Sequence, residues 1–323
     1  MIEDFENIPV RNDLQTIGFY NLENLFDTQD NPKNMGDNDF LPISTKKWTP
    51  KRYQNKLRKL GFAISNIGKK ETGKHPAIVG LAEVENAKVV EDLIASKHLE
   101  DLNYSYVHYN SPDERGIDTA LIYDADAFEM LHSETFNVHL VDEDGEPDYT
   151  RDILLVSGLL DKEKIYVIVN HWSSRREGAE ETEFKRFAAA DKVISIIDYL
   201  KNDDLDAKIV VIGDFNDDPS SNSIRRLVNS CDLFNPMEVL HTYNRGTTNH
   251  NFKWNLFDQI IFSTNFFEAT PDTLSFDKAE IFDTDFLKLF KGKYKGKPFR
   301  TYVGPKYKGG YSDHFPVYAI FRK

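Results

Sequence analysis

The sequence has few of the features that mark disulfide-stabilised, zinc-binding or membrane-bound proteins. Its 323 residues include one cysteine, Cys231, so no internal disulfide can form, and no Cys/His cluster has the spacing of a zinc site. The first ten residues are acidic and carry neither a basic start nor an apolar stretch, which predicts no signal peptide and no membrane helix. We therefore expect a soluble protein, with the cytoplasm as its default location.

Positive charge is also scarce overall. The chain has 40 Lys and Arg against 53 Asp and Glu, which gives a formal net charge of −13. This charge argues against a protein that coats DNA non-specifically, because such binding needs a cationic surface. Many of the basic residues are concentrated in two segments, Lys46–Lys59 and Lys288–Lys308, where they alternate with aromatic residues. Such segments suit a phosphate-bearing substrate, although each taken singly is more simply explained as a solvated surface segment.

Strand-like runs alternate with helical patterns, and neither a Pro/Gly-rich linker nor a short repeat divides the chain, so we expect one domain over residues 1–323 with its core at about 16–321. The predicted strands are 16–22, 77–84, 104–109, 119–123, 128–140, 153–160, 165–170, a strand starting at 208, 258–262 and 317–321, and the predicted helices are 53–67, 88–97, 180–200 and a short one near 223. The strands from 104 to 170 predict a mostly antiparallel meander. The order predicts an α/β four-layered sandwich, in which two packed mixed, mostly antiparallel sheets are flanked by helices.

The most informative segment follows the apolar run that starts at Lys208. The run stops at Gly213 and is followed by Asp214, Phe215 and Asn216. In an extended chain Asp214 and Asn216 project to the same side, so a carboxylate and an amide are presented together at the end of a buried strand. This arrangement is typical of an active site.

Other strand ends carry similar polar groups. Their residues are Asn21 with Glu23, which would share a side of the strand, Glu83, His171 followed by Arg175 and Arg176, Asp258, and Asp313 beside His314. A lone Asx at a strand end is better explained as a turn cap, and a lone His or Arg as an ordinary edge residue. The joint pattern has little structural rationale, and a buried acid without a basic neighbour, such as Glu83, suits a metal ion.

With these motifs, Asn-x-Glu, Ala-Glu-Val, Gly-Asp-Phe-Asn and Ser-Asp-His-Phe-Pro in this order, the chain resembles the endonuclease/exonuclease/phosphatase superfamily. These metal-dependent phosphohydrolases include pancreatic-type deoxyribonuclease, abasic-site endonucleases, sphingomyelinases and inositol-polyphosphate 5-phosphatases. The resemblance runs from about Thr16 to Phe321, and it rests on the set of motifs because no single one is specific enough.

The resemblance implies a role for each matching residue. Glu83 would be the principal ligand of Mg²⁺ or Mn²⁺, helped by Asn21, Glu23 and Asp313. Asp214 would position and deprotonate the attacking water, and Asn216 would hold water or a phosphate oxygen. His314, oriented by Asp258, would hydrogen-bond the phosphoryl oxygen, with His171 as a second phosphate-contacting histidine; His314 as the base is the alternative.

The chain departs from the family pattern at three places. Ala82 stands where many members have glutamine, and Glu23 stands where aspartate is common. The segment Arg115–Ala120 fills the region where abasic-site enzymes have a tyrosine near the phosphate, and within it Asp118 either borders the site or binds a turn amide. DNA repair is therefore less expected than a general nuclease or phosphodiesterase.

The sequence thus predicts a Mg²⁺-dependent phosphodiesterase with nucleic acid as the leading substrate, in which Arg175, Arg176 and Asp118 contact the substrate. A phosphatase or a phospholipid-headgroup phosphodiesterase is the first alternative, favoured by the acidic net charge. A non-catalytic binding module is the second. A monomer is the default expectation for the oligomeric state.

Overall fold

The structure, a computed structural model, describes residues 5, 8–31, 34–141, 144–176, 178–268 and 270–323. The helices are α1 (Pro50–Ser65), α2 (Lys69–Thr72), α3 (Ala87–Ile94), α4 (Glu183–Asp203) and α5 (Asn222–Ser230), with 3₁₀ turns at Met35–Phe40, Pro236–Val239, Thr264–Phe267 and Asp285–Leu287. The strands are β1 (Leu14–Leu25), β2 (Ile78–Val84), β3 (Tyr104–His108), β4 (Asp118–Asp124), β5 (Phe128–Phe136), β6 (Leu140–Val141), β7 (Pro147–Asp148), β8 (Ile153–Leu160), β9 (Glu163–His171), β10 (Lys208–Asp214), β11 (Leu233–Phe234), β12 (Thr248–His250), β13 (Lys253–Asn255), β14 (Asp258–Ser263), β15 (Ser275–Ile281), β16 (Tyr302–Val303), β17 (Lys306–Tyr307) and β18 (Val317–Arg322).

Two sheets of six strands each are formed by the described residues. Sheet A has the order β15-β18-β1-β2-β4-β3, and sheet B has the order β11-β14-β10-β9-β8-β5. Each sheet is mixed, because β1 pairs with β2 in parallel and β9 pairs with β10 in parallel while the neighbouring pairs are antiparallel. Short two-stranded ribbons, β6-β7, β12-β13 and β16-β17, project from the connections.

The two sheets pack face to face because each has an apolar inner face. Phe19 and Val79 of sheet A belong to the same buried cluster as Val169 and Val210 of sheet B, so one continuous core lies between the sheets. Gly80 lies on this interface, where a Cβ atom would come within 2.6 Å of Ile212 Cδ1. Glycine at this position therefore lets β2 and β10 approach each other closely.

Helices cover the outer faces of both sheets. The cluster on sheet A includes Leu57, Leu60 and Ile64 of α1 with Val90 and Leu93 of α3. A second cluster joins Val193 and Ile197 of α4 and Ile224 and Leu227 of α5 to Ile168 and Val211 of sheet B. The layers are therefore helix, sheet, sheet, helix, which confirms the predicted four-layered α/β sandwich.

The predicted meander was wrong in one respect. The pairs β3–β4, β5–β8 and β8–β9 are antiparallel, but β3 and β4 belong to sheet A whereas β5, β8 and β9 belong to sheet B. The chain changes sheets between Asp124, the end of β4, and Phe128, the start of β5. The predicted strand 128–140 ends at Phe136, and β15 was not predicted because its burial is partial along most of its length.

None of the helices in the described residues is both long enough and apolar enough to cross a membrane. The prediction of a single domain over residues 1–323 stays a prediction.

Candidate active site

Three site residues are aligned across neighbouring strands of sheet B. Asp214, the last residue of β10, lies opposite His171 on β9 and opposite Asp258 on β14. The parallel strands β9 and β10 end at the same edge of the sheet, so their terminal polar residues meet there. The antiparallel strand β14 begins at this edge, which brings Asp258 into the same row.

Asp214 is at the centre of this row, and its carboxylate is buried. Its Oδ2 atom accepts a hydrogen bond from Asn21 Nδ2 at 3.0 Å, and its Oδ1 atom accepts the backbone N–H of Asn216 at 3.0 Å. The Nε2 atoms of His171 and His314 lie 3.8 Å and 4.0 Å from Oδ2. Burial raises the pKa of Asp214 above its ordinary value, although His314 opposes this, and a carboxylate with a raised pKa is better suited to accept a proton.

His314 is held by a second carboxylate. Its Nδ1 atom lies 2.7 Å from Asp258 Oδ2, so Nδ1 carries the proton and Nε2 is directed to Asp214. Burial alone would lower the pKa of His314, but Asp258 and Asp214 together raise it well above the ordinary value. The imidazole is therefore positively charged at neutral pH.

His171 has the opposite electrostatic environment. Burial and the nearby guanidinium of Arg151 lower the pKa of His171 well below its ordinary value, so the ring is neutral. Its Nε2 atom lies 4.0 Å from Glu83 Oε1, and its Nδ1 atom has no hydrogen-bond partner among the described residues. Two histidines of different charge thus flank Asp214.

Glu83 reaches the site because β1 and β2 are irregular at the same level. The register of β1 against β2 shifts between Asn21 and Leu25, and the register of β2 against β4 shifts at Glu83. Glu23, Asn24 and Glu83 adopt positive φ angles of 53°, 55° and 64°. Bulges of this kind redirect side chains beside active sites, and the strained backbone is consistent with a functional role.

Two of the predicted metal ligands are paired with arginines. Glu83 accepts a hydrogen bond from Arg115 Nη2 at 3.1 Å and from the backbone N–H of Asn24 at 2.8 Å. Asp313 Oδ2 lies 2.7 Å from Arg300 Nη2. Burial alone would raise the pKa of Glu83, but the Arg115 guanidinium and the charged His314 hold it below its ordinary range, so this carboxylate is an anion.

The side chain of Glu23 does not lie beside Asn21 as the strand alternation predicts, because the bulge turns it away. The backbone N–H groups of Thr301 and Tyr302 donate to its two carboxylate oxygens at 2.5 Å and 3.3 Å. The buried ammonium of Lys56 lies 4.0 Å from Glu23 Oε2 and donates to Thr301 Oγ1 at 2.5 Å. Glu23 thus ties β1 to the loop after Phe299 while still lining the site cavity.

The remaining predicted residues differ in their position. Asn216 lines the cavity with a positive φ of 50°, and its amide donates to the Trp172 carbonyl at 3.0 Å. Arg175 and Arg176 also line it; Arg176 is exposed, whereas Arg175 is paired with Asp217.

Asp118 is not among the cavity-lining residues of the described chain. Its carboxylate accepts the Ser111 N–H at 2.8 Å and bonds His108 Nε2 at 2.9 Å, which favours the turn-binding alternative.

Most of these groups line one open cavity of about 1050 Å³. Asn21 and Asp258 do not line it but hydrogen-bond Asp214 and His314, which do. Its walls include residues that the sequence motifs did not identify as site residues, namely Arg115, Arg300, and Thr248–His250, Lys253 and Asn255 of the β12–β13 hairpin. In the sequence, Arg115 stood out only as part of the segment Arg115–Ala120, and Arg300 only as part of the basic segment Lys288–Lys308. The β12–β13 hairpin could not be predicted from the sequence, because it is short and polar and follows no apolar run.

A sequence profile of the Endonuclease/Exonuclease/phosphatase family matches residues 16–323, which is nearly the whole chain. The chain belongs to this family. As a member of the Endonuclease/Exonuclease/phosphatase family, the protein is a hydrolase of phosphate esters, and the site described above occupies the end of the sheets where its motifs meet. Comparison with curated protein sequences finds no match.

Solved structures of the family have the same fold. D. rerio TDP2 complexed with single-strand DNA product is 15% identical, with 97% of this chain and 100% of that chain covered and a TM-score of 0.56. The mannosyl-6-phosphatase of Bacteroides thetaiotaomicron is 16% identical, with coverages of 96% and 100% and a TM-score of 0.58. The human Nocturnin catalytic domain with bound sulfate anion is 14% identical, with coverages of 97% and 95% and a TM-score of 0.58. At these identities the likeness shows the fold alone.

Enzymes of the Endonuclease/Exonuclease/phosphatase family depend on a divalent metal ion, and the site has groups that fit one. Asp214, Asp258 and His314 place carboxylate and imidazole atoms within 4.8 Å of one another, and because the charged His314 cannot be a ligand, the carboxylates are the available donors. Glu83 and Asp313 offer carboxylate oxygens whose present partners are cationic guanidinium groups. A donor set made chiefly of oxygen, without cysteine, suits a hard cation.

Proposed function

We propose that the protein is a Mg²⁺-dependent phosphodiesterase and that nucleic acid is its leading substrate class. The observation that carries this proposal is the environment of Asp214 Oδ2, which has the Asn21 amide at 3.0 Å and the Nε2 atoms of His171 and His314 at 3.8 Å and 4.0 Å. A buried carboxylate flanked by one neutral and one charged imidazole can take a proton and stabilise an anion at the same centre.

In the proposed reaction, a water molecule attacks the phosphorus atom while Asp214 accepts its proton. The bond from phosphorus to the leaving oxygen breaks, and that oxygen departs with the bonding electrons. Negative charge grows on the non-bridging oxygens, where the N–H of charged His314 stabilises it and neutral His171 contributes a second polar contact. The Asp258 carboxylate keeps His314 charged and oriented without touching the substrate.

Mg²⁺, or Mn²⁺ in its place, would be held by Glu83 and Asp313 with help from Asn21 and, at the edge, Glu23. When bound, the ion supplies positive charge that neutralises phosphoryl oxygens. With Glu83 and Asp313 engaged in this way, Arg115 and Arg300, which now pair with them, could contact the phosphate. Arg176 extends the positive lining of the cavity toward solvent.

A phosphatase, or a phosphodiesterase of phospholipid headgroups, is the second candidate function. The net charge of −13 favours it, because a long polyanion is repelled by an acidic surface. Salt dependence separates the two, since the rate or affinity falls steeply with salt for a polyanionic substrate and only slightly for a small one.

The proposal is tested with bis-nitrophenyl phosphate and nitrophenyl phosphate side by side, with Mg²⁺ and with EDTA. Faster Mg²⁺-dependent hydrolysis of the diester is the expected result. Faster hydrolysis of the mono-ester supports the phosphatase instead. Turnover that EDTA does not abolish contradicts the metal dependence.

Asp214→Asn isolates the proposed base. We expect this variant to lose turnover by about 10²–10⁴-fold while its affinity for the diester changes little, because the amide keeps the shape of the carboxylate. Asp191→Asn, an exposed change on the outer surface of α4, is the control. Wild-type turnover in Asp214→Asn would remove Asp214 from the mechanism.

A further inference from the structure

Two exposed aromatic rings stack on each other beside the active-site cavity. The rings of Phe252 and Tyr294 have centroids 5.6 Å apart and an interplanar angle of 16°. Phe252 is 51% exposed and Tyr294 is 50% exposed. Burial therefore does not account for the pair, and large exposed aromatic groups commonly mark binding surfaces.

Lysine side chains lie over the same rings. The Nζ atom of Lys297 is 3.5 Å from the centroid of Phe252 and 5.1 Å from that of Tyr294. The Nζ atom of Lys293 is 5.0 Å and 5.8 Å from the same two centroids. We call Phe252, Tyr294, Lys293 and Lys297 the aromatic platform.

The charge around the aromatic platform is opposite to that of the whole molecule. Residues 286–312 contain eight Lys and Arg and no Asp or Glu, whereas the chain has a net charge of −13. A local cationic surface on an acidic protein selects for an anion that binds there rather than everywhere. The combination of exposed aromatic rings and lysines matches a polymer that carries both bases and phosphates.

The platform is connected to the catalytic groups by the β12–β13 hairpin. At its base, Thr248 forms a β-bridge with His314, and Thr248, His250 and Lys253 line the cavity. Phe252 lies at the tip, about 10 Å farther along at the usual rise of a strand. That distance corresponds to about one to three nucleotides of a strand that leaves the cavity.

We propose that the aromatic platform binds single-stranded nucleic acid next to the scissile phosphate, by stacking bases on Phe252 and Tyr294. This inference rests on the proposed function and names its substrate class more closely. An exposed cation–π contact is weaker than base–aromatic stacking, so a base displaces the ammonium groups of Lys293 and Lys297 from the rings. The released lysines then contact the phosphates on either side of the base.

Binding is measured by fluorescence anisotropy of a labelled twelve-nucleotide thymidine strand in EDTA, which prevents cleavage. The matched probe is an abasic strand of the same length and charge. Wild-type protein should bind the thymidine strand at least about tenfold more tightly than the abasic one. Phe252→Ala and Tyr294→Ala should each lose most of this preference while their weak affinity for the abasic strand is kept.

Two variants of equal surface character serve as controls. Phe184 and Tyr199 on α4 are 53% and 50% exposed, so Phe184→Ala and Tyr199→Ala remove matched rings elsewhere on the surface. The controls should bind both strands as the wild type does. Circular dichroism checks the fold of each variant. Phe252→Leu keeps apolar bulk without an aromatic ring, so it should lose the preference for the thymidine strand as Phe252→Ala does.

The charge contribution has a separate readout. Lys297→Gln should reduce the slope of log K against log salt for the thymidine strand by about 0.7 if one phosphate contact is lost. Equal wild-type binding of thymidine and abasic strands, or unchanged binding by Phe252→Ala and Tyr294→Ala, would overturn the aromatic platform.

Hydrolysis of bis-nitrophenyl phosphate separates this inference from the proposed function, because that substrate is too small to reach the platform. If Phe252→Ala hydrolyses bis-nitrophenyl phosphate at the wild-type rate and binds the thymidine strand as tightly as the wild type, the aromatic platform does not bind the strand, whereas the proposed phosphodiesterase activity is retained. If the wild type fails to hydrolyse it, the proposed function fails first.

Discussion

At the scale of single residues, the site depends on two histidines with different charges. His314 is kept protonated by Asp258, and His171 is kept neutral by burial and by Arg151. The same side chain thus has a different charge at the two positions because its neighbours differ, as in acid–base sites generally. The different roles that we propose for His314 and His171 beside Asp214 follow from these surroundings and not from the residue type.

The arginines at the site lead to the first prediction. Arg300 Nη2 lies 2.7 Å from Asp313 Oδ2, so this guanidinium neutralises a carboxylate that we propose as a metal ligand. Arg300→Gln should therefore bind Mg²⁺ or Mn²⁺ about fivefold more tightly, which corresponds to about 1 kcal/mol for a partly exposed ion pair. Isothermal titration calorimetry measures this affinity without any turnover.

Arg176→Gln is the control for that measurement. Arg176 lines the same cavity and is exposed, so the variant removes an equal charge without freeing a proposed ligand. Equal tightening in both variants would mean that only the general field changed. Weaker binding by Arg300→Gln would mean that Arg300 holds Asp313 in a ligating orientation.

At the scale of elements, close contact between neighbouring strands fixes the row formed by His171, Asp214 and Asp258. A Cβ atom at Gly213 on β10 would lie 2.4 Å from the carbonyl oxygen of Asn170 on β9. The residues next in sequence, Asp214 and His171, are partners across these two strands. The spacing of the two strands therefore sets the distance between the proposed base and its neutral histidine.

Gly213→Ala tests this dependence. The new methyl group would contact backbone atoms, which cannot rotate away, so we expect the free energy of unfolding to fall by about 1–3 kcal/mol. We also expect the turnover of the folded variant to fall, because the distance between Asp214 and His171 would change. Urea denaturation and diester hydrolysis measure the two effects. In Gly18→Ala, the control on β1, the added Cβ would be 3.4 Å from its nearest neighbour and should cost little; equal costs in both variants would contradict the argument.

The elements also show how far the sequence could predict the site. The strand ends were predictable because an apolar run that stops at a polar residue marks the end of a buried strand, and His171, Asp214 and Asp258 share one edge for that reason. The bulges were not predictable, because strand alternation assumes a regular backbone, whereas Glu23 and Glu83 have positive φ angles.

Contacts between distant segments were equally hidden in the sequence. The pairing of Arg115 with Glu83 joins residues 32 positions apart, and that of Arg300 with Glu23 joins residues 277 positions apart. Neither follows from local spacing, because both depend on how loops close over the sheet edge. The same holds for the hairpin that carries Phe252, whose ring partner Tyr294 lies on another loop.

At the scale of the whole molecule, the excess of negative charge and the acidic site make metal binding a stabilising event. An ion that binds the folded state at 100 times its Kd adds about 2.7 kcal/mol to the free energy of unfolding. We expect Mg²⁺ to raise the melting temperature by a few degrees. Differential scanning calorimetry at constant ionic strength measures the shift.

Glu83→Gln is the variant that makes this shift specific. It removes the proposed principal ligand, so most of the Mg²⁺-dependent shift should disappear and a higher Mg²⁺ concentration should be needed for hydrolysis. If Glu83→Gln is stabilised as much as the wild type, the stabilising ion binds elsewhere. A similar shift on adding NaCl in place of MgCl₂ would reflect general screening.

The position of β18 has a consequence for how the molecule is made. This strand, Val317–Arg322, lies between β15 and β1 in sheet A, with Leu14 opposite Arg322. During synthesis β1 has one unpaired edge until residues 317–322 have emerged, and such long-range pairing slows folding. Since His314 comes only three residues before β18, a chain interrupted before His314 lacks both the strand that joins β1 to β15 and one histidine of the proposed site, so the sheet and the proposed site are completed by the same short segment.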